Sequence, residues 1–179
     1  MKSLSGVRRE LGVRTILNVL GPLANPAGAA RQLIGVGRPE LVTLLAQALA
    51  ALGTERAVVF QSGNGLDELV PGADAVGIEV RGRQTRPWRL DAAGLPLAPV
   101  APEQLAGGDA AENAAMLTRL LEGEPGPRRE AVLLNAGVAL VVEGRAGSLA
   151  EGHALARASI ESGAAAGCFQ RMKEASRAA

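Results

Sequence analysis

Two adjacent carboxylates, Asp67 and Glu68, follow the turn sequence Ser62-Gly63-Asn64-Gly65-Leu66. Side by side they offer hard oxygen donors to a divalent cation. Mg2+ takes few carboxylates, keeps several waters and shares its shell with phosphate oxygens. Neighbouring acids in an ordinary loop are usually just solvated. Here the pair follows an apolar run, glycine precedes it at two positions, and its surroundings are apolar. A second set of candidates lies in residues 7–26, VRRELGVRTILNVLGPLANP, where Arg8, Arg9 and Arg14 fall within two helical turns. A bent loop beside guanidinium groups is a natural place to hold a small carboxylate or phosphate.

The more familiar catalytic residues carry less. His153 is the only histidine and is expected on the surface of the helix that follows Ser148. Without a second histidine, neither a zinc site nor a Ser-His-Asp triad fits. Cys168 has no partner base in the sequence, and a packing role suits it as well. A GxGxxG fingerprint and a Walker loop are both absent from the chain, which argues against nucleotide-cofactor readings.

Several elements must position these groups. Val13, Ile16, Leu17 and Leu20 recur at helical spacing and predict a short helix that runs into Gly21-Pro22 and then Asn25-Pro26. Residues 1–11 also read as helical, ending at Gly12. Residues 31–36 form a short apolar run of the kind found in buried strands. Pro39 opens a helix whose apolar face is Leu41, Leu44, Leu45, Ala48, Leu49 and Leu52, and Gly53 ends it. Residues 56–61 (RAVVFQ) predict a central parallel strand. Loops after parallel strands are where α/β sheets place ligands, and Asp67-Glu68 lies on one.

Short runs at 75–81 and 86–90, around Gly82, predict a hairpin or excursion at the sheet edge. Residues 91–102 predict an extended surface connection. The last third is helical. Asp109-Ala110-Ala111-Glu112 and Ser148-Leu149-Ala150-Glu151 are capping boxes. Residues 128–143 form an Ala/Val/Leu-rich helix expected to be buried nearly all round, and a last helix covers 164–176.

Composition narrows the class. A chain of 179 residues suits one domain with a proper core. No apolar run is long enough to span a membrane, and no secretion signal is expected. The lone cysteine fits a reducing compartment, so the cytoplasm is the expected location. With 19 basic and 18 acidic residues, no electrostatic footprint for nucleic acid is present. Trp88, Phe60 and Phe169 are the only aromatics, too few for base-stacking platforms.

RRELGVRTILNVLGPLANP, followed by GLDEL, resembles the second half of anthranilate phosphoribosyltransferase, a family of tryptophan biosynthesis. LLNAGVALVVEGRAGSLAEGHALARASIESGAA is similar to that family's C-terminal helices, and the likeness covers essentially the whole chain. The resemblance implies an α/β fold: a mostly parallel sheet flanked by helices, of the nucleoside phosphorylase/phosphoribosyltransferase large-domain type. Remnant helices of a small α-helical domain would precede it. Residues 1–26 would then belong to that small domain and a substrate loop, and residues 27–179 to the C-terminal part of the α/β domain.

The implied activity joins anthranilate to phosphoribosyl pyrophosphate, releases pyrophosphate and requires Mg2+. Position by position, Arg8 matches the arginine that contacts the anthranilate carboxylate. Pro22 matches the proline lining the anthranilate channel, and Asp67 and Glu68 match the acidic pair that holds Mg2+. Members tend to form homodimers. The family's GTGGD and KHGN segments, which cradle pyrophosphate and ribose phosphate, occur nowhere in this sequence. Smaller departures are Leu17, where phenylalanine is usual, and Asn64, often aspartate.

The resulting expectation is a C-terminal portion of such an enzyme, inactive by itself, that needs the missing N-terminal half or a homodimer partner. It would be a truncated product, a start assigned too late or one half of a split enzyme. The alternative is a non-catalytic family member, or remnant, acting as a binding or assembly module.

Overall fold

The computed structural model describes residues 21–178. The helices expected in residues 1–20, with Arg8, Arg9, Arg14 and Leu17, lie outside the described residues. The chain enters through a turn at Gly21–Ala24, and Leu23 packs against the first core cluster. Asn25 closes the next turn: its Oδ1 accepts from the Ala27 amide at 3.0 Å and its carbonyl from Gly28.

Strand β1 (Arg31–Gly35) then leads to helix α1 (Glu40–Ala51), strand β2 (Arg56–Ser62) and the hairpin β3 (Ala75–Arg81) and β4 (Gln84–Arg89). One short helical turn follows, α2 (Pro102–Leu105). Four longer helices complete the chain: α3 (Ala110–Leu121), α4 (Pro127–Glu143), α5 (Leu149–Glu161) and α6 (Ala164–Ala178).

The α/β class stands, with one correction. The four described strands lie in the order β1-β2-β3-β4, but only β1 and β2 are parallel. β2–β3 and β3–β4 are antiparallel, so the sheet is mixed rather than mostly parallel. The cause is local. β3 and β4 are joined at Arg81-Gly82-Arg83 by a tight turn with Gly82 at φ +58°. A connection that short permits only an antiparallel neighbour.

Strand alternation splits the sheet into two buried faces. Ile34, Ala57, Val59 and Val80 meet Val42, Leu45, Ala46 and Leu49 of α1. Val58, Phe60 and Ala75 face Leu134, Val138 and Val142 of α4, with Leu69 beneath the loop that follows β2. A third cluster, Leu120, Leu133, Ala156 and Ile160, joins α3, α4 and α5 into an outer helical layer.

One row of the sheet sets the space near the candidate site. Register aligns Gly35, Phe60, Gly77 and Trp88 across all four strands. Phe60 is 1% exposed, and its ring lies 6.0 Å from that of Trp88. The glycines on either side leave room for it: a Cβ on Gly35 would meet the Phe60 ring at 2.9 Å, and one on Gly77 its Cα at 2.8 Å.

Helix α4 runs opposite to β1 and β2. Its C-terminal carbonyls receive arginines from the starts of those strands: Arg56 Nη1 donates to the Val141 carbonyl at 2.7 Å, and Arg31 Nη1 to that of Glu143. Cations suit a helix C-terminus because unpaired carbonyls carry its negative end. The first half of α4 therefore lies toward the strands' C-terminal edge. Arg56 also belongs to an ion cluster around Glu79, whose side chain is 3% exposed; Arg81 and Arg86 complete it. Burial pushes the Glu79 carboxyl up, but hydrogen bonds from Arg81, Arg86 and Arg56 outweigh it and hold the group below its usual range.

Two further expectations change. His153 is 5% exposed, not on the surface. α4 and α5 cross where Gly137 faces Gly152, and a Cβ on Gly137 would lie 2.9 Å from the His153 amide nitrogen. Backbones that close bury the next side chain. Helix α4 is likewise not enclosed all round, since Val132 is 43% exposed.

Candidate active site

The loop from Ser62 to Leu69 leaves the end of β2 and turns back over β1. Asn64 organises the turn: its Oδ1 accepts from the Leu66 amide at 3.2 Å, and Gly65 takes φ +82°, a conformation that costs glycine little. The Gly65 amide donates to the Ser62 carbonyl at 2.9 Å, and the Gly63 amide to that of Asp74 at 2.6 Å.

The chain then crosses Gly35, where the Asp67 carbonyl occupies the space a Cβ would need. Asp67 and Glu68 are both exposed, while Leu69, Val70 and Pro71 behind them are buried. The acids thus sit on an anchored rim at the C-terminal edge of the parallel pair.

Glu68 is held above the usual carboxylate range, first by partial burial and then by the like charge of Asp67 and a hydrogen bond with it. A cation bound between them would relieve that repulsion. Among the described residues, no group of three or more His, Cys, Asp or Glu could hold a metal. Two oxygen-donor side chains with open solvent beside them therefore suit Mg2+ that keeps waters and a phosphate oxygen, not a cation needing an all-protein cage. The donor set fits the ion.

Asn135 fixes the far end of the loop. Its Oδ1 accepts from the Leu69 amide at 3.0 Å, and its Nδ2 donates to the Leu69 carbonyl at 2.7 Å and to the Ala131 carbonyl at 2.8 Å. Its one sequence signal is an amide in the apolar run VLLNAGVALVV, since a buried polar side chain demands partners. Beside it a cavity of about 700 Å³ is lined by Glu68, Asn113, Arg128, Asn135 and apolar residues of α3 and α4.

Pro22 is not among the residues lining that cavity; it is half-buried on the entry turn, next to Leu23. His153 lies in the helical layer, 3.8 Å from Glu130, and Cys168 is exposed on α6.

Residues 1–166 match the family described as glycosyl transferase family, a/b domain. The chain belongs to that family. Within the glycosyl transferase family its relatives include anthranilate phosphoribosyltransferases. That of Thermomicrobium roseum is 49% identical over 181 aligned residues, covering 99% of this chain and 52% of the relative. Anthranilate phosphoribosyltransferase 2 of Streptomyces coelicolor is 48% identical, covering 96% and 51%.

Solved structures agree. The anthranilate phosphoribosyltransferase of Thermus thermophilus matches with a TM-score of 0.83 at 43% identity, over 96% of this chain and 50% of that one. The Saccharomyces cerevisiae enzyme in complex with PRPP and Mg matches at 0.78 and 27% identity, over 91% and 47%. The chain therefore spans about half the length of the relatives it matches. No helix among the described residues is long and apolar enough to cross a membrane.

Proposed function

We propose that this chain supplies the acidic, metal-holding part of an anthranilate phosphoribosyltransferase. In the transfer, the bond from the ribose anomeric carbon to pyrophosphate breaks and one from the anthranilate nitrogen forms. The new ammonium then loses its proton to solvent. The observation that carries this reading is the exposed Asp67-Glu68 pair, on a loop pinned against Gly35 and held by Asn135 at the strands' C-terminal edge.

Asp67 and Glu68 would hold Mg2+, which when bound neutralises the charge that develops on departing pyrophosphate. Arg8 would orient the anthranilate carboxylate and Pro22 would line the acceptor's path, following the family resemblance. An aromatic amine is neutral at pH 7, so the reaction needs no strong general base. His153, packed between helices, has no part in it.

The remaining half of such an enzyme, or a homodimer partner, would complete the site. Support comes from two connected grooves, of about 1040 and 700 Å³, that share Leu33, Leu117, Leu120, Val132, Ala136 and Ala139. They lie beside β1, the edge strand of the described sheet. A partner packed there would cover their apolar walls.

Loss of anthranilate fluorescence tests the proposal, with phosphoribosyl pyrophosphate and Mg2+ present. The 179-residue chain alone should show no turnover. Adding the other half of the Thermomicrobium roseum relative should restore it, and Asp67→Asn should abolish it again. Binding of the two halves without turnover would favour the assembly-module alternative. Unchanged turnover in Asp67→Asn would refute the metal assignment.

A further inference from the structure

We propose that Asn135 is a positioning residue for the carboxylate pair: its amide holds Leu69 as a neighbouring strand would, and so fixes where Asp67 and Glu68 point. The inference rests on the metal-holding role proposed above. Three features carry it.

Both Leu69 backbone groups are taken up by one side chain, at 3.0 and 2.7 Å, from a helix 66 residues further along the chain. The second Nδ2 hydrogen of Asn135 goes to the Ala131 carbonyl of its own helix at 2.8 Å. The amide therefore cannot rotate without breaking a third bond. Leu69 itself is 0% exposed, so no solvent could replace its partners. The last residue of the acidic loop is thus fixed to the same helix whose far end receives Arg31 and Arg56 from β1 and β2.

The geometry also explains why the clamp is asparagine. An aspartate would accept from the Leu69 amide but turn a second oxygen toward the Leu69 carbonyl, with no proton to donate. A leucine fills a similar volume and makes neither bond. A glutamine reaches too far by one methylene. Among uncharged side chains of this length, only the asparagine amide offers a donor and an acceptor side by side. Groups that orient metal ligands from behind commonly change metal affinity by about 10- to 100-fold when removed.

The test uses the 179-residue chain and Mn2+ as the probe, with binding read from water-proton relaxation. Wild-type, Asp67→Asn and Asn135→Leu chains are compared below their unfolding midpoints. Asp67→Asn should remove binding, and Asn135→Leu should weaken it about 10- to 100-fold while far-ultraviolet circular dichroism stays unchanged. In parallel, amide hydrogen exchange on the wild-type chain should show Leu69 as protected as Leu134 and Val138, with the exposed Asn64 amide exchanging freely. That measurement stands even if the variant does not fold.

Loss of Mn2+ in Asp67→Asn with full retention in Asn135→Leu would overturn the clamp alone. A wild-type Leu69 amide exchanging as fast as that of Asn64 would overturn it too. Equal Mn2+ binding by wild type and Asp67→Asn would instead overturn the metal site, and with it the function assigned to the clamp.

Discussion

Replacing Gly35 with alanine should disturb the candidate site more than any other single methyl group in the sheet. A Cβ at this position would lie 2.6 Å from the Asp67 carbonyl carbon and 2.9 Å from the Phe60 ring. Carbon atoms settle at about 3.5–4.0 Å, and the Asp67 carbonyl oxygen would lie closer still, so that carbonyl must retreat by well over about 1 Å. Phe60 has little room, being 1% exposed and packed near Trp88 and Gly77. The loop carrying Asp67 must yield instead.

Overpacking of this kind costs about 1–3 kcal/mol, against about 0.4–1 kcal/mol recovered from a stiffer unfolded chain. The net is a loss of about 1–2 kcal/mol, or a fall of about 0.5–1 M in the urea midpoint. Mn2+ affinity should fall with it, because the displaced segment bears the ligands. Gly37→Ala is the control: its Cβ would sit 3.7 Å from the Gly65 carbonyl, an ordinary contact, and stability should stay within about 0.5 kcal/mol. A Gly35→Ala chain as stable as this control, with unaltered Mn2+ binding, would refute the claim that the loop is pinned on β1.

Glu79→Gln should destabilise the chain by about 1–2 kcal/mol, discounted because Arg81 and Arg86 remain half-exposed and can resolvate. Because Glu79 is held below its ordinary range, its contribution is present above the unfolded-state value of about 4.3 and is lost as pH falls through the folded value. Urea midpoints between pH 5 and pH 3 should therefore drop faster in wild type than in Glu79→Gln. For His153, burial lowers the pKa first, Arg157 adds to this and Glu130 opposes it. Stability from the neutral ring is present above about 6.5 and lost on acidification, so its proton-resonance titration should have a midpoint below that value; one at or above it contradicts the burial. Val132→Glu, on the open face of α4, should leave stability within about 0.5 kcal/mol of wild type yet abolish activity restored by the second half; unimpaired restoration would place the partner elsewhere.

What could be read from sequence follows the range of the forces involved. Local chemistry was legible. Asp109 caps α3 as its sequence implies, accepting from the Glu112 amide at 2.9 Å while Glu112 accepts from the Asp109 amide at 2.8 Å. The second box closes by half: Ser148 accepts from the Glu151 amide at 3.2 Å, but Glu151 accepts from Gly147 instead of Ser148. The hairpin around Gly82 and the helix after Pro39 formed within a residue or two of their expected limits.

The misses depend on neighbours far along the chain. His153 is buried by the approach of Gly137 and Gly152, a fact of two helices that neither helix announces. Asn135 drew no notice within its apolar run because its partner, Leu69, belongs to another element. The loop that carries the acids depends on the same kind of contact. Gly63 and Gly65 mark a turn, which is local information, but the turn does not say where the acids will point. That is fixed by Gly35 beneath the loop and Asn135 behind it, one in the first strand and one in the fourth helix. A sequence motif thus supplies the ligand types, and long-range packing supplies their aim. An alteration at either support should change metal affinity without touching a carboxylate, and the two supports should couple when altered together, because they restrain one segment from opposite ends.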